Sequence, residues 1–392
     1  MKQLRIPATY MRGGTSKGVF FRAEDLPADR LQRDCLLMRV IGSPDRYGKH
    51  IDGMGCATSS TSKVVIVSRS ARADSDVDYL FGAVAVGEPV IDWSGNCGNL
   101  TAAVGPFAIH AGLIDAPSEG LGVVRIWQAN VQRRIIAHVP MADGSVQELG
   151  DFELDGVPFP AAEIPLEFLD PASDEPGEQG GSMFPTGSRV SILQIPGFGP
   201  IEATMINAGN PAIFVDAGSL GLTGAELQND VNSRSDLLTL AEAVRAEGAV
   251  AMCLVATAAE ATAKRPHTPK LAFVAKPQRY VASDGKQVDV GDVDLLARIF
   301  SMGKLHHAMT GTGAVAIAAA AAIPGTVVHR VAPLDSQGFI RFGHPSGVLR
   351  VGAQAELVEQ DWKVLKVTMS RSARRLMEGW VCVPDQGSGS HT

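Results

Sequence analysis

Apolar and polar positions change rhythm several times along the chain, and each change marks an element. Val64-Val65-Ile66-Val67 is a β-branched run of the kind that forms a buried strand, and residues 79–93 alternate apolar and polar positions with the two-residue period of a strand. Strand character recurs at 123–127 and 134–136, 147–154, 190–195, 201–206, 212–215, 250–255 and 270–274. Helical spacing predicts helices over 29–41 and 237–246. Two stretches fit neither amphipathic pattern. Residues 98–104 and 314–323 are small and apolar with little polar interruption, as expected of helices enclosed by the rest of the fold. Each follows a glycine-bearing turn: Gly95-Asn96-Cys97-Gly98-Asn99 before the first, and Met309-Thr310-Gly311-Thr312-Gly313 before the second.

At 392 residues the chain is long for one core, so two domains are expected. The shift to Asp, Glu, Pro and Gly over 165–187 reads as the linker between them. A net charge of −7, with no basic run on an aromatic-rich segment, argues against nucleic acid as a partner. Residues 1–10 lack an apolar core of signal-peptide length, and the longest purely apolar run, 314–323, is too short to span a bilayer. A cytoplasmic protein with no membrane partner is therefore expected. The five cysteines are odd in number and scattered, which predicts reduced thiols.

The chemistry-bearing residues gather at the turns. Cys97 is expected at a helix N-terminus, where unpaired N–H groups and the helix dipole favour negative charge and reactive thiols. An inert buried cysteine is the commoner fate of a lone Cys, but Gly98 permits close approach of a ligand and Asn99 offers a polar side chain to its oxygens. Lys63, at the mouth of the 64–67 strand and preceded by a hydroxyl-rich run, is a candidate base, although strand-edge lysines are usually only solvated. The turn Met11-Arg12-Gly13-Gly14-Thr15-Ser16-Lys17-Gly18 has the wrong spacing for a phosphate loop and precedes a strand, so it reads as an anion-holding turn with Arg12, Ser16 and Lys17 as donors. Asn210, Thr310, Thr312 and Ser346 stand in further polar turns. Two small-residue helices aiming their N-termini at one cleft would suit a polyanion. The nine histidines come without HExxH or paired CxxC spacing, so no metal site is expected.

Cys97-Gly98-Asn99, Thr310-Gly311-Thr312-Gly313-Ala314 and Gly209-Asn210-Pro211 resemble the turns of the diaminopimelate epimerase fold. Where both turns of those epimerases carry cysteine, Thr310 holds the second place here, which disfavours amino-acid epimerisation. Residues 6–21, 39–45, 51–63, 92–104 and 306–317 more closely resemble the 2-methylaconitate isomerase (PrpF) family, with Cys56 where a glycine is expected. This resemblance implies an α+β fold of two pseudo-symmetric domains, each a β-sheet wrapped around a central helix, with the active site in the cleft between them. The domains are placed at 1–183 and 184–374, the last strand, 375–392, returning to the first. It further implies Lys63 and Cys97 as the reactive pair in an allylic proton transfer that converts 2-methyl-trans-aconitate to 2-methyl-cis-aconitate in the methylcitrate route of propionate breakdown. Arg12, Ser16, Lys17, Asn99, Asn210, Thr310, Thr312 and Ser346 are the expected substrate holders, and no metal or organic cofactor is required. Tautomerisation of 4-oxalomesaconate stays open, as does a non-enzymatic accessory role beside an iron–sulphur dehydratase. A functional link to such a dehydratase and assembly into a homo-oligomer are also left open.

Overall fold

The computed structural model describes residues 3–172, 182–359 and 361–384. Part of the expected linker, 173–181, and the end of the expected last strand, 385–392, lie outside the described residues. Both halves are built by one sequence of steps. In the first, the hairpin Gln3–Gly13/Ser16–Arg22 is followed by Lys63–Arg69, parallel to its second strand, and then by antiparallel Val77–Val84. The helix Gly98–His110 comes next, and Gly120–Gln128 returns parallel to Val77–Val84 before the hairpin with Arg133–Ala142. In the second half the hairpin is Gly199–Ala208/Asn210–Asp216, followed by parallel Lys270–Ala275 and antiparallel Leu295–Ser301. The helix Gly311–Ala322 follows, and Phe339–His344 returns parallel to Leu295–Ser301 before the hairpin with Gly347–Val358. Each helix thus sits at the same step of its half, wrapped by sheet.

The two halves share strands. Asp361–Arg371 pairs with Gly347–Val358 on one side and Ile164–Leu169 on the other, and Ala373–Pro384 pairs along the length of Gln3–Gly13. All residues from Gly98 to Ala108 and from Gly311 to Ala321 are buried, which explains the lack of a polar face in either helix. One apolar cluster contains residues of both helices, so the core runs through the seam between the halves. Among the described residues no helix is long and apolar enough to cross a membrane.

Four expected elements differ. Residues 79–93 are not one strand: Val77–Val84 ends at Val84, and Ile91–Asp92 turns back antiparallel on it, because Gly87 and Pro89 break the extended run. Residues 250–255 are not a strand: the helix Ser235–Ala251 runs through Val250, and Cys253 turns the chain with φ 57°. A short apolar run has no periodicity that separates strand from buried helix, and the helix-forming stretch before it decides the outcome. Over 147–154 the chain makes only the isolated bridge Phe152↔Ala161, with the preceding strand confined to Ser145–Val146. There Gly150 lies against the backbone of Ala162, and a Cβ on it would come within 2.8 Å of the Ala162 Cα. The start of the expected linker is ordered as Ile164–Leu169, whose alternate side chains are buried.

Candidate active site

The centre of the molecule is the meeting of the two helix starts. A Cβ on Gly98 would sit 2.7 Å from the carbonyl carbon of Gly311 and 2.8 Å from the Thr312 nitrogen, and one on Gly311 would sit 2.6 Å from the Asn99 nitrogen. Only paired glycines permit that approach. It gathers the first amides of both helices, whose N–H groups lack intrahelical acceptors, into one electropositive spot. Cys97 and Thr310 are the two N-cap residues. The Leu100 N–H donates to Cys97 Sγ at 3.5 Å, and the Gly313 N–H donates to Thr310 Oγ1 at 3.1 Å.

Lys63 enters this spot from the first residue of its strand. Its Nζ donates to Cys97 Sγ at 3.0 Å and to Ser16 Oγ at 2.9 Å, and lies 5.7 Å from the centre of the Phe81 ring. Lysine and cysteine are each 6% exposed, so a proton moving between nitrogen and sulfur does so largely out of contact with water. The Cys97 carbonyl accepts from the Thr101 hydroxyl at 3.0 Å and the Tyr79 hydroxyl at 3.3 Å, which fixes the turn that carries the sulfur. Burial, and then the neighbouring Cys97, hold Tyr79 well above the usual tyrosine range, so it stays a neutral donor.

The other residues singled out from sequence divide into groups. Asn99 donates to Thr15 Oγ1 at 2.9 Å and to the Met309 carbonyl at 3.2 Å, while its Oδ1 accepts from Arg371 Nε at 3.0 Å. Asn210 is engaged across the seam: its Oδ1 accepts from the Asn96 N–H at 2.8 Å, and its Nδ2 donates to the Asn96 carbonyl at 3.0 Å and to Thr312 Oγ1 at 3.2 Å. Ser346 donates to the His307 carbonyl at 2.6 Å. Arg12 donates through Nη1 to the Gly14 and Ser372 carbonyls at 3.1 and 3.0 Å, and burial pulls it down to about 10. Lys17 points away from Ser16, as the pleat requires, with its Nζ 5.4 Å from the centre of the Tyr10 ring. The structure therefore brings Lys63, Cys97, Ser16, Asn99, Thr310, Thr312 and Asn210 to one seam, while Arg12 and Lys17, paired across the first hairpin, engage Ser372 and the Tyr10 ring instead.

A cavity of about 990 Å³ opens between the halves, lined by Thr58, Ser59, Ser60 and 84–88 from the first and by Gln228, Asn232, Ser301, His306 and His307 from the second. Lys63 and Cys97 are not on its wall. Lys63 still acts on that wall, because its charge contributes to lowering His307, whose largest cause is burial. His306 was not singled out as a site residue. Its Nδ1 accepts from the Ala308 N–H at 3.1 Å, and burial, then His307, holds the ring neutral, so the proton resides on Nε2. That Nε2 is buried without a hydrogen-bond partner and belongs to a side chain of the cavity wall, ready to donate to a ligand oxygen. Sequence reasoning also passed over Arg371, Asp92 and Lys270. Lys270 had a visible signal: like Lys63 it opens a strand of apolar residues. Among the described residues no group of three or more His, Cys, Asp or Glu side chains is placed to hold a metal ion.

The model of the family described as PrpF protein matches residues 3–384. The chain belongs to the PrpF family. Among its relatives, the 2-methyl-aconitate isomerase of Cupriavidus necator is 62% identical over 389 residues, covering 97% of this chain and 98% of that protein. The crystal structure of a methylitaconate-delta-isomerase superposes with a TM-score of 0.77 at 38% identity, covering 100% of both chains. A hydroxyproline epimerase from Agrobacterium vitis shares the fold with a TM-score of 0.57 at 12% identity, over 97% of this chain and 94% of that one. The epimerase-like architecture expected of this PrpF chain is therefore the one it has. The second helix start carries Thr310 in this α+β frame.

Proposed function

We propose that this PrpF chain isomerises an unsaturated tricarboxylate, 2-methyl-trans-aconitate to its cis form, in the methylcitrate route of propionate breakdown. The choice of substrate follows the relative that is 62% identical over 97% of the chain, against the 38% identity to the methylitaconate-delta-isomerase. The observation that carries the chemistry is the buried 3.0 Å contact between Lys63 and Cys97. Rotation about a carbon–carbon double bond needs its double-bond character suspended. Removing a proton from the methylene next to the double bond does so: the C–H electron pair spreads through the former double bond into a carboxylate. The carbon skeleton turns, and the same proton or an exchanged one returns to the methylene carbon. No atom is gained or lost, and the scheme calls for neither metal nor organic cofactor.

In this reading one member of the Lys63–Cys97 pair takes the proton, the other relays it, and Ser16 holds the amine in place. The amides around Gly98 and Gly311 face the charge that develops on the enolate-like carboxylate. Thr310 and Thr312 order those amides, Asn99 and Asn210 keep the two halves in register, and Ser346, Arg12 and Lys17 serve the outer carboxylates. Turnover in deuterated water tests it. Purified protein should convert 2-methyl-trans-aconitate and wash deuterium into the methylene, with Lys63→Met doing neither. Conversion by Lys63→Met at the wild-type rate, or no conversion by the wild type in the absence of an added dehydratase, would overturn the reading, and 4-oxalomesaconate and methylitaconate assayed beside it decide the preferred acid.

A further inference from the structure

The second half repeats the first strand for strand, and where the first holds Lys63 it holds another lysine. Val64 pairs with Val19, which sets Lys63 level with the third residue of the parallel strand Ser16–Arg22. Lys270 pairs with Ala212, the third residue of the parallel strand Asn210–Asp216. Both amines are buried, Lys63 at 6% exposure and Lys270 at 2%. Each donates to a serine hydroxyl, Lys63 to Ser16 at 2.9 Å and Lys270 to Ser301 at 3.0 Å. Lys270 also contacts His267 Nδ1 at 3.2 Å, and His267 Nε2 reaches the carbonyl of Asn96, next to Cys97, at 3.3 Å.

Neither lysine forms an ion pair with a carboxylate among the described residues. An amine buried without a counter-charge costs stability, and a fold that buries two at one seam has an anion to meet there. Ser301 belongs to the wall of the cavity between the halves, so Lys270 stands one hydroxyl behind it. We infer that Lys270 is a second substrate-binding amine, which meets a carboxylate of the polyanionic substrate across the Ser301 hydroxyl from the lobe opposite Lys63. The inference rests on the reading of the cleft as a tricarboxylate site.

The electrostatics agree. Burial first, then Lys63, push Lys270 down to about 7; Arg245 adds to this, while Asp92 and Cys97 pull it back up. His267 is held neutral by burial and by Lys270 and Lys63, so it accepts at Nδ1. The Asp92 carboxylate is already engaged by the N–H groups of His267 and Ser94, at 2.7 and 2.8 Å. A carboxylate arriving beside Lys270 reverses the balance, and binding takes up a proton.

Calorimetric titration with tricarballylate, a saturated tricarboxylate, in two buffers of different ionisation enthalpy at near-neutral pH reads that proton. The wild type should take up protons on binding, and Lys270→Met should lose most of the uptake. The KM of Lys270→Met for 2-methyl-trans-aconitate should rise about ten-fold or more while kcat falls less. A purely structural lysine would leave the proton uptake unchanged. If Lys270→Met does not fold, Ser301→Ala keeps both lysines and removes the intervening hydroxyl; altered uptake and weaker tricarballylate binding support the inference, and no change in either overturns it. Wild-type turnover with unchanged KM and uptake in Lys270→Met overturns the role of Lys270 alone. A wild type that neither binds tricarballylate nor turns over the aconitate overturns the tricarboxylate reading and this inference with it.

Discussion

The two lobes present the same apparatus with a different cap side chain. Each offers a lysine at the third rung of a parallel strand pair, a small-residue helix, and an N-cap side chain that accepts the N–H three residues on. In the first lobe that cap is the Cys97 sulfur, in contact with its lysine; in the second it is the Thr310 hydroxyl, bonded to the Gly313 N–H. Both cap a helix, but a thiol is a far stronger acid and nucleophile than an aliphatic hydroxyl. An epimerisation that inverts a stereocentre draws on acid and base from both sides. A rotation about a double bond can remove and return a proton on one face of one carbon, so a single reactive lobe suffices and the other is free to bind.

The largest test of this asymmetry is Lys63→Met. General acid–base groups typically contribute about 10²–10⁴-fold, so kcat should fall by about 10³-fold, with folding checked by circular dichroism. Turnover within a few-fold of wild type would remove the amine from the chemistry.

Exchanging the caps breaks the comparison from both sides. Cys97→Thr keeps an N-cap acceptor yet deletes the thiol proposed to carry the proton, and kcat should drop by about 10²-fold. Thr310→Cys places a thiol in the second lobe and should keep activity within about ten-fold, because the cap is retained and the Lys63–Cys97 contact is untouched. Equal losses in the two variants, measured by steady-state assay of the aconitate, would mean that the lobes share the proton work.

Next in size is the contact of the helix starts. Gly98→Ala pushes a methyl to within 2.7 Å of the Gly311 backbone, in a place enclosed by both lobes. Overpacking of this kind typically costs about 1–3 kcal/mol, and here it also spreads the first amides of the two helices. Urea denaturation should show the stability loss, and kcat should fall with it. Stability unchanged with kcat unchanged would show that the seam is slack.

Much of this geometry was legible in the residues themselves. The glycine–amide turns and featureless apolar helices at 98–104 and 314–323 announced enclosed helices, since nothing polar on them needs water. Ser16 is expected from the sequence as an anion donor in the first turn, and its place beside Lys63 appears only in the fold, whereas its neighbour Lys17 faces the other side of the pleat. What could not be read is contact across the seam. That Asn210 spends its amide on Asn96, or that Arg371 reaches Asn99 at 3.0 Å from 272 positions away, depends on how two halves dock, and no local pattern encodes it. The missing strand at 250–255 failed for a local reason instead, a helix overrunning a short apolar run.

The smallest expected effect concerns the second lobe's lysine and is read without substrate. Lys270 is pulled down to about 7 in the folded chain by burial and then by Lys63, while in the unfolded chain it regains its ordinary value of 10.5. Below about 7 both states carry the proton, and the folded state bears the full cost of a buried charge. Between those two values the unfolded chain binds more protons than the folded one, so stability from this group rises with pH and levels off above 10.5. One proton's difference is a slope of at most about 1.4 kcal/mol per pH unit. Urea midpoints of the wild type across pH 7.5 to 9, inside the window set by Lys270, should therefore climb more steeply than those of Lys270→Met. Subtracting the variant's profile removes the contributions of other groups to first order. Parallel profiles would mean that the amine is charged throughout the window, and the second lobe would then differ from the first in its cap alone.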